Sequence, residues 1–159
     1  MIFAIDPGSI ESAYAELDSE TLKPISVGKI ANDMLLEKVK RLPYEAELVI
    51  EMIESYGMAV GKEVFDTVFW AGRFWEAGNS LHRELIYRRE EKLNLCGSCR
   101  AKDANIRQAL IDRFVPGAHN SGKDTKKKPG WFYGFAADMW QAYAIGVTWA
   151  DKKQGRIRP

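Results

Sequence analysis

The sequence predicts an α/β domain, and three observations carry that reading. The chain opens on three short apolar runs separated by turn residues, as a strand meander does. Further strands then alternate with helix-length amphipathic segments. An apolar helix that begins at an acid closes the chain. At 159 residues, one domain over 1–159 is expected, long enough to bury a sizeable core.

Residues 2–6 form the first strand: Ile2, Phe3, Ala4 and Ile5 end in Asp6, and Pro7-Gly8 turns the chain at once. Residues 13–17 make a short alternating strand, and 24–30 a third, reached through the polar turn 18–23. Asn32 or Asp33 can cap a helix over 34–41, which Pro43 stops. Residues 48–53 are almost continuously apolar, as in a strand buried on both faces at the centre of a sheet. A helix over 60–78 is apolar on more than one face. Val64, Val68 and Trp75 suit the sheet, which leaves Phe65, Phe69, Trp70 or Phe74 for other sides. Residues 84–88 are a short fifth strand. The amphipathic helix 102–114 turns Ile106, Ala109, Leu110 and Phe114 inward, with Arg107 and Arg113 outward. A flexible basic loop is expected at about 116–133, and the last helix covers 138–150.

Composition narrows the function. A hydrophobic fraction of 46% and a charged fraction of 28% are ordinary for a soluble protein. Met1 leads straight into a strand, without the basic leader of a signal peptide, and no apolar run approaches membrane-spanning length. A cytoplasmic protein with no membrane partner is the expectation. The net charge of +1 hides an asymmetry. Residues 1–80 carry 7 basic and 14 acidic side chains, and residues 81–159 carry 16 and 8. A basic second half suits a polyanion. Cys96 and Cys99 form a single Cys-x-x-Cys with no second pair, so they read as plain thiols rather than a zinc site.

Three acids stand out because each ends or begins an apolar element: Asp6, Glu51 on the fourth strand, and Asp138. A charge in such a place is costly unless something pairs with it. Each alone has a plainer reading, as a turn former, an ion-pair partner or a first-turn helix acid. Carboxylates gathered from two strand ends and a helix suit a divalent metal and phosphoryl chemistry.

The order of these pieces resembles the ribonuclease H-like nuclease fold. Within it, the chain resembles the RuvC family of Holliday junction resolvases, particularly the shorter versions carried by bacteriophages. The matching segments are Ala4-Ile5-Asp6-Pro7-Gly8-Ser9, Val49-Ile50-Glu51, Cys96-Gly97-Ser98-Cys99-Arg100-Ala101-Lys102 and Ala142-Tyr143-Ala144-Ile145-Gly146-Val147-Thr148, in the family's order. The resemblance implies a five-stranded mixed sheet with helices on both faces. It also implies a metal-dependent endonuclease that cuts branched DNA, working as a homodimer in the cytoplasm, that of the host bacterium if a phage encodes it.

The resemblance further implies two Mg2+ ions, with Mn2+ able to substitute. Asp6 would bridge them while Glu51 and Asp138 hold one each. The family pattern places two metal-directed positions three residues apart on the last helix. One alignment makes these Asp138 and Gln141; the other makes Asp138 the second and Phe135 the first. On the first alignment Gln141 stands where a carboxylate is expected, and either Gln141 or Glu54 is left to complete the site. Arg100, Lys102, Lys123, Lys126, Lys127 and Lys128 would meet DNA phosphates. The missing acid also suits a second reading: a catalytically weak branched-DNA-binding protein on the same fold.

Overall fold

The computed structural model describes residues 1–55, 57 and 59–156. The last three residues of the expected domain lie outside that range. Strands β1 (Ile2–Asp6), β2 (Glu11–Leu17) and β3 (Pro24–Ala31) form an antiparallel meander. Helix α1 (Asn32–Lys40) leads to β4 (Glu47–Met52), which lies parallel to β1. Helix α2 (Lys62–Ala77) leads to β5 (His82–Tyr87), parallel to β4. The five strands run in the order β3-β2-β1-β4-β5, a mixed sheet. Helices α3 (Arg88–Cys96), α4 (Asp103–Phe114) and α5 (Met139–Lys153) complete the chain.

Strand alternation divides the core into two layers. Ile2, Ala4 and Val49 pack on one face against α4, α5, Phe132 and Phe135. Phe3, Ile5, Leu48 and Ile50 pack on the other against α1 and α2. The same alternation puts Asp6 and Glu51 on the α5 face. Asp6 is the last residue of β1 and Glu51 the last but one of β4, two adjacent parallel strands aligned Ile5 to Ile50.

Three expectations change. Helix α3 was not read from the sequence. It is so charged, Arg-Arg-Glu-Glu-Lys, that it shows no apolar stripe, yet Tyr87 N–H donates to Glu90 and Gly97 ends it in a left-handed turn. The segment 116–133 has structure of its own. A 3-10 turn over His119–Gly122 is followed by a hairpin of β6 (Asp124–Thr125) and β7 (Lys128–Pro129), and Phe132 is fully buried. Gly130 is needed there, because a side chain would collide with the Gly122 carbonyl at 2.2 Å. On α2 the sheet-facing stripe is Thr67, Ala71 and Phe74, at helical spacing i, i+4, i+7. Phe74 is therefore core, Val64 and Val68 are half-buried, and Phe65 and Phe69 point to solvent, 63% and 64% exposed. Arg113 is exposed, as expected, and reaches Asp151 at 2.6 Å.

Neither Asn32 nor Asp33 caps α1, whose first residue is preceded by Ala31 with no side-chain cap. Asn32 has other work. Its amide donates to the Gly8 carbonyl at 2.9 Å and its oxygen accepts from Ser12 at 2.6 Å, while Gly8 N–H donates to Ser12 Oγ at 3.1 Å. This triangle locks the turn that follows Asp6. Gly8 cannot carry a side chain there, since a Cβ would lie 2.2 Å from the Glu11 carbonyl oxygen.

Candidate active site

A cleft of about 650 Å³ opens where β1 ends and α5 begins. Asp6, Arg88, Asp103, Arg107, Asp138 and Gln141 line it. Glu51, 8% exposed, sits beside Asp6 within hydrogen-bonding reach. Ala137, just before α5, holds a left-handed φ of 38°, a strained turn that sets where the helix and Asp138 begin.

The acids crowd one another. Burial, the Glu51 charge and its hydrogen bond, and the Asp138 charge raise the Asp6 carboxyl well above the usual range, against the pull of Arg88. Two cations answer part of this charge. Lys29 Nζ lies 2.5 Å from Asp138, and that bond raises its own pKa. Arg88 lies 3.5 Å from Glu51 and 2.5 Å from Asp103. Among the described residues, no three His, Cys, Asp or Glu side chains are arranged to hold a metal ion.

Helix α3 adds an acid that the sequence did not single out. Glu91 is completely buried, and one of its oxygens accepts from the Gln141 amide. Its Oε1 has no hydrogen-bond partner among the described residues. Burial pushes Glu91 up to about 8; Arg88 lowers it and Glu51 raises it. Its only sequence signal was a position three residues after Arg88, on the same helix face. Arg88 and Arg107 are likewise cleft residues that charge counting over the chain did not distinguish. Arg107 stacks 4.9 Å from the centre of the Trp140 ring and reaches Ser121 at 3.4 Å.

The remaining sequence candidates lie around this centre. Glu54 is exposed beyond the end of β4. Arg100 and Lys102 are exposed ahead of α4, where Lys102 N–H donates to Asn105. Arg100 lines a separate groove with Cys96 and Asp112. Lys126, Lys127 and Lys128 are exposed on the hairpin, whose preceding turn brings Ser121 to the cleft, and Lys123 is half-buried. The donor set at the centre is hard oxygen with an excess of negative charge and one buried orphan oxygen. That chemistry fits a divalent cation.

The fold is the ribonuclease H-like fold in its RuvC form. The chain superimposes on a Thermus thermophilus RuvC structure with a TM-score of 0.61 and 18% identity, over 99% of this chain and 98% of that one. It superimposes on T. thermophilus RuvC in complex with Holliday junction substrate with a TM-score of 0.63 and 15% identity, again over 99% and 98%. No protein-family model and no curated protein matches the sequence. No helix among the described residues is long and apolar enough to cross a membrane.

Proposed function

We propose that this protein is a divalent-metal-dependent endonuclease that resolves branched DNA, with the four-way junction as substrate. The observation that carries the reading is the meeting of Asp6, Glu51 and the head of α5 at one open cleft on a RuvC-like scaffold. Asp6, Glu51 and Asp138 would hold Mg2+, or Mn2+ in its place, as two ions with Asp6 shared, and Gln141 is the neutral donor beside them. When bound, such ions activate water and stabilise the leaving oxygen of a phosphodiester.

The protein's own groups do the positioning. The locked turn of Gly8, Ser12 and Asn32 fixes Asp6 without using its carboxylate. Arg88 and Arg107, on the cleft wall, suit the phosphates flanking the cut. Arg100, Lys102, Lys123 and the hairpin lysines extend the basic surface outward, where backbone contacts hold DNA in register without reading bases.

A four-way junction has near-twofold symmetry and needs two matched cuts, so a twofold dimer is the economical assembly. The exposed Phe65 and Phe69, one turn apart on α2, suit its interface. Light scattering should give about twice the 18.0 kDa chain mass, reduced to a monomer by Phe69→Glu. A wild-type monomer at all concentrations would overturn the interface.

Cleavage of four-way, flap and linear DNA in Mg2+, against the same reactions in EDTA, tests the activity. Binding to junctions with no cleavage in Mg2+ or Mn2+ would favour the second reading, a branched-DNA-binding protein, for which Gln141 in place of an acid is the motive.

A further inference from the structure

Glu91 is a buried acid that the proposed chemistry does not yet use. It is the one fully buried residue of α3. Buried carboxylates are normally tied by several donors, because each lone oxygen left dry is costly. Among the described residues Glu91 receives one tie, from the Gln141 amide, and Oε1 receives none. Its hydrogen-bond partner Gln141 lines the cleft, and the neighbouring charges are Arg88, Glu51 and Asp103, so the acid stands behind the cleft wall against that cluster. Arg88 is not spent on Glu91; its closest oxygens belong to Asp103 and Glu51.

Gln141 explains how such an acid is held. It lies on the cleft wall and spends its amide on a carboxylate from another helix. An acid at position 141 would repel Glu91, whereas a donor orients it, as outer groups orient metal ligands. The orphan oxygen and the neutral cleft residue are then two halves of one arrangement.

We infer that Glu91, oriented by Gln141, is a further carboxylate ligand of the divalent-cation site, delivered from α3. Gln141 is its positioning residue. The inference rests on the metal-dependent reading above, and the experiment separates the two.

Mn2+ alone is the probe, titrated by calorimetry into the full-length protein without DNA. The expected result is that wild type binds, that Glu91→Gln weakens binding about tenfold or more, and that Glu91→Gln with Gln141→Asp recovers most of it, because a carboxylate returns from α5. A purely structural Glu91 would not give that rescue. Wild-type Mn2+ affinity in Glu91→Gln, or no recovery in the double variant, overturns the role of Glu91 while leaving the metal reading intact. No Mn2+ binding by wild type overturns both. If Glu91→Gln folds poorly, Glu91→Asp keeps the charge but draws it back by one methylene. Unchanged Mn2+ affinity in that variant also overturns the inference.

Discussion

The two ends of α5 treat their acids in opposite ways. At the far end, Asp151 is buried, and every part of its carboxylate is answered. Arg113 donates at 2.6 and 2.8 Å, Asn94 at 2.9 Å, and Arg156 stands 3.9 Å away. Burial works against its charge, yet Arg113 and Asn94 more than offset this and hold the carboxyl below its usual range. At the cleft end, the Glu51 charge pushes on both Asp6 and Glu91, Asp6 is raised, and Glu91 keeps an oxygen with no partner among the described residues. The same short chain can satisfy a buried acid in full. Its failure to do so at the cleft is local, and such local shortfalls are where a fold gives up stability for chemistry.

Removing an acid should therefore have opposite consequences at the two ends. Asp6→Asn should cut Mg2+-dependent cleavage of a junction by roughly a thousandfold or more, since each lost ligand removes several kcal/mol of transition-state stabilisation. Its melting temperature in EDTA should hold or rise, because one repelling charge is gone. Wild-type cleavage in a pure preparation would remove Asp6 from the site. Arg113→Ala is the converse test. It strands Asp151 with a buried charge and should cost about 3–5 kcal/mol in urea denaturation, with cleavage per folded molecule unchanged. A loss below about 1 kcal/mol would mean that Asn94 and Arg156 suffice, and the contrast between the two ends would collapse.

Acid sharpens the same contrast with a smaller effect. The Asp151 carboxyl is lowered in the fold, so its contribution to stability is present above the unfolded-state value and disappears as pH falls through the folded-state value. Wild type should lose stability from about pH 4 downward, and Asp151→Asn should show a flatter profile over that range. Denaturation midpoints at a series of pH values give the comparison. Parallel profiles would mean that other carboxylates carry the acid sensitivity.

What the sequence made legible follows the same division. Asp6 and Glu51 were readable because a strand's period of two is unforgiving: an acid ending an apolar run must go somewhere definite. The register of β1 on β4 then puts the two together. Helix α5 was readable from its long apolar run, and its N-terminal acid came with it. Helix α3 was not, because its buried face is one glutamate among charged neighbours, and no hydrophobic pattern marks a residue buried for its charge. Asn32 looked like a helix cap because its type fits one, while its partners Gly8 and Ser12 lie 24 and 20 residues away in the chain. On α2, aromatic residues on several faces hid which stripe met the sheet, and the smaller Thr67 and Ala71 took it.

The smallest expected effect lies outside both ends of α5, on the hairpin. Lys29 and Arg88 are committed to ion pairs inside the cluster, so mutating them disturbs the acids as well as any DNA contact. Lys127 is exposed at the turn between β6 and β7, beyond the two residues of each strand. A lysine there that touches one phosphate contributes through counterion release alone. Lys127→Ala should then weaken junction binding only severalfold and reduce the slope of log affinity against log salt by about 0.9. Binding should be measured in an Asp6→Asn background, so that cleavage does not consume the DNA. The expected loss is the same on junction and linear duplex, because a phosphate contact carries no shape or base information. An unchanged salt slope would take the hairpin off the DNA and confine the nucleic-acid contact to the cleft arginines and the approach to α4. A loss confined to the junction would instead make the hairpin a reader of branch geometry.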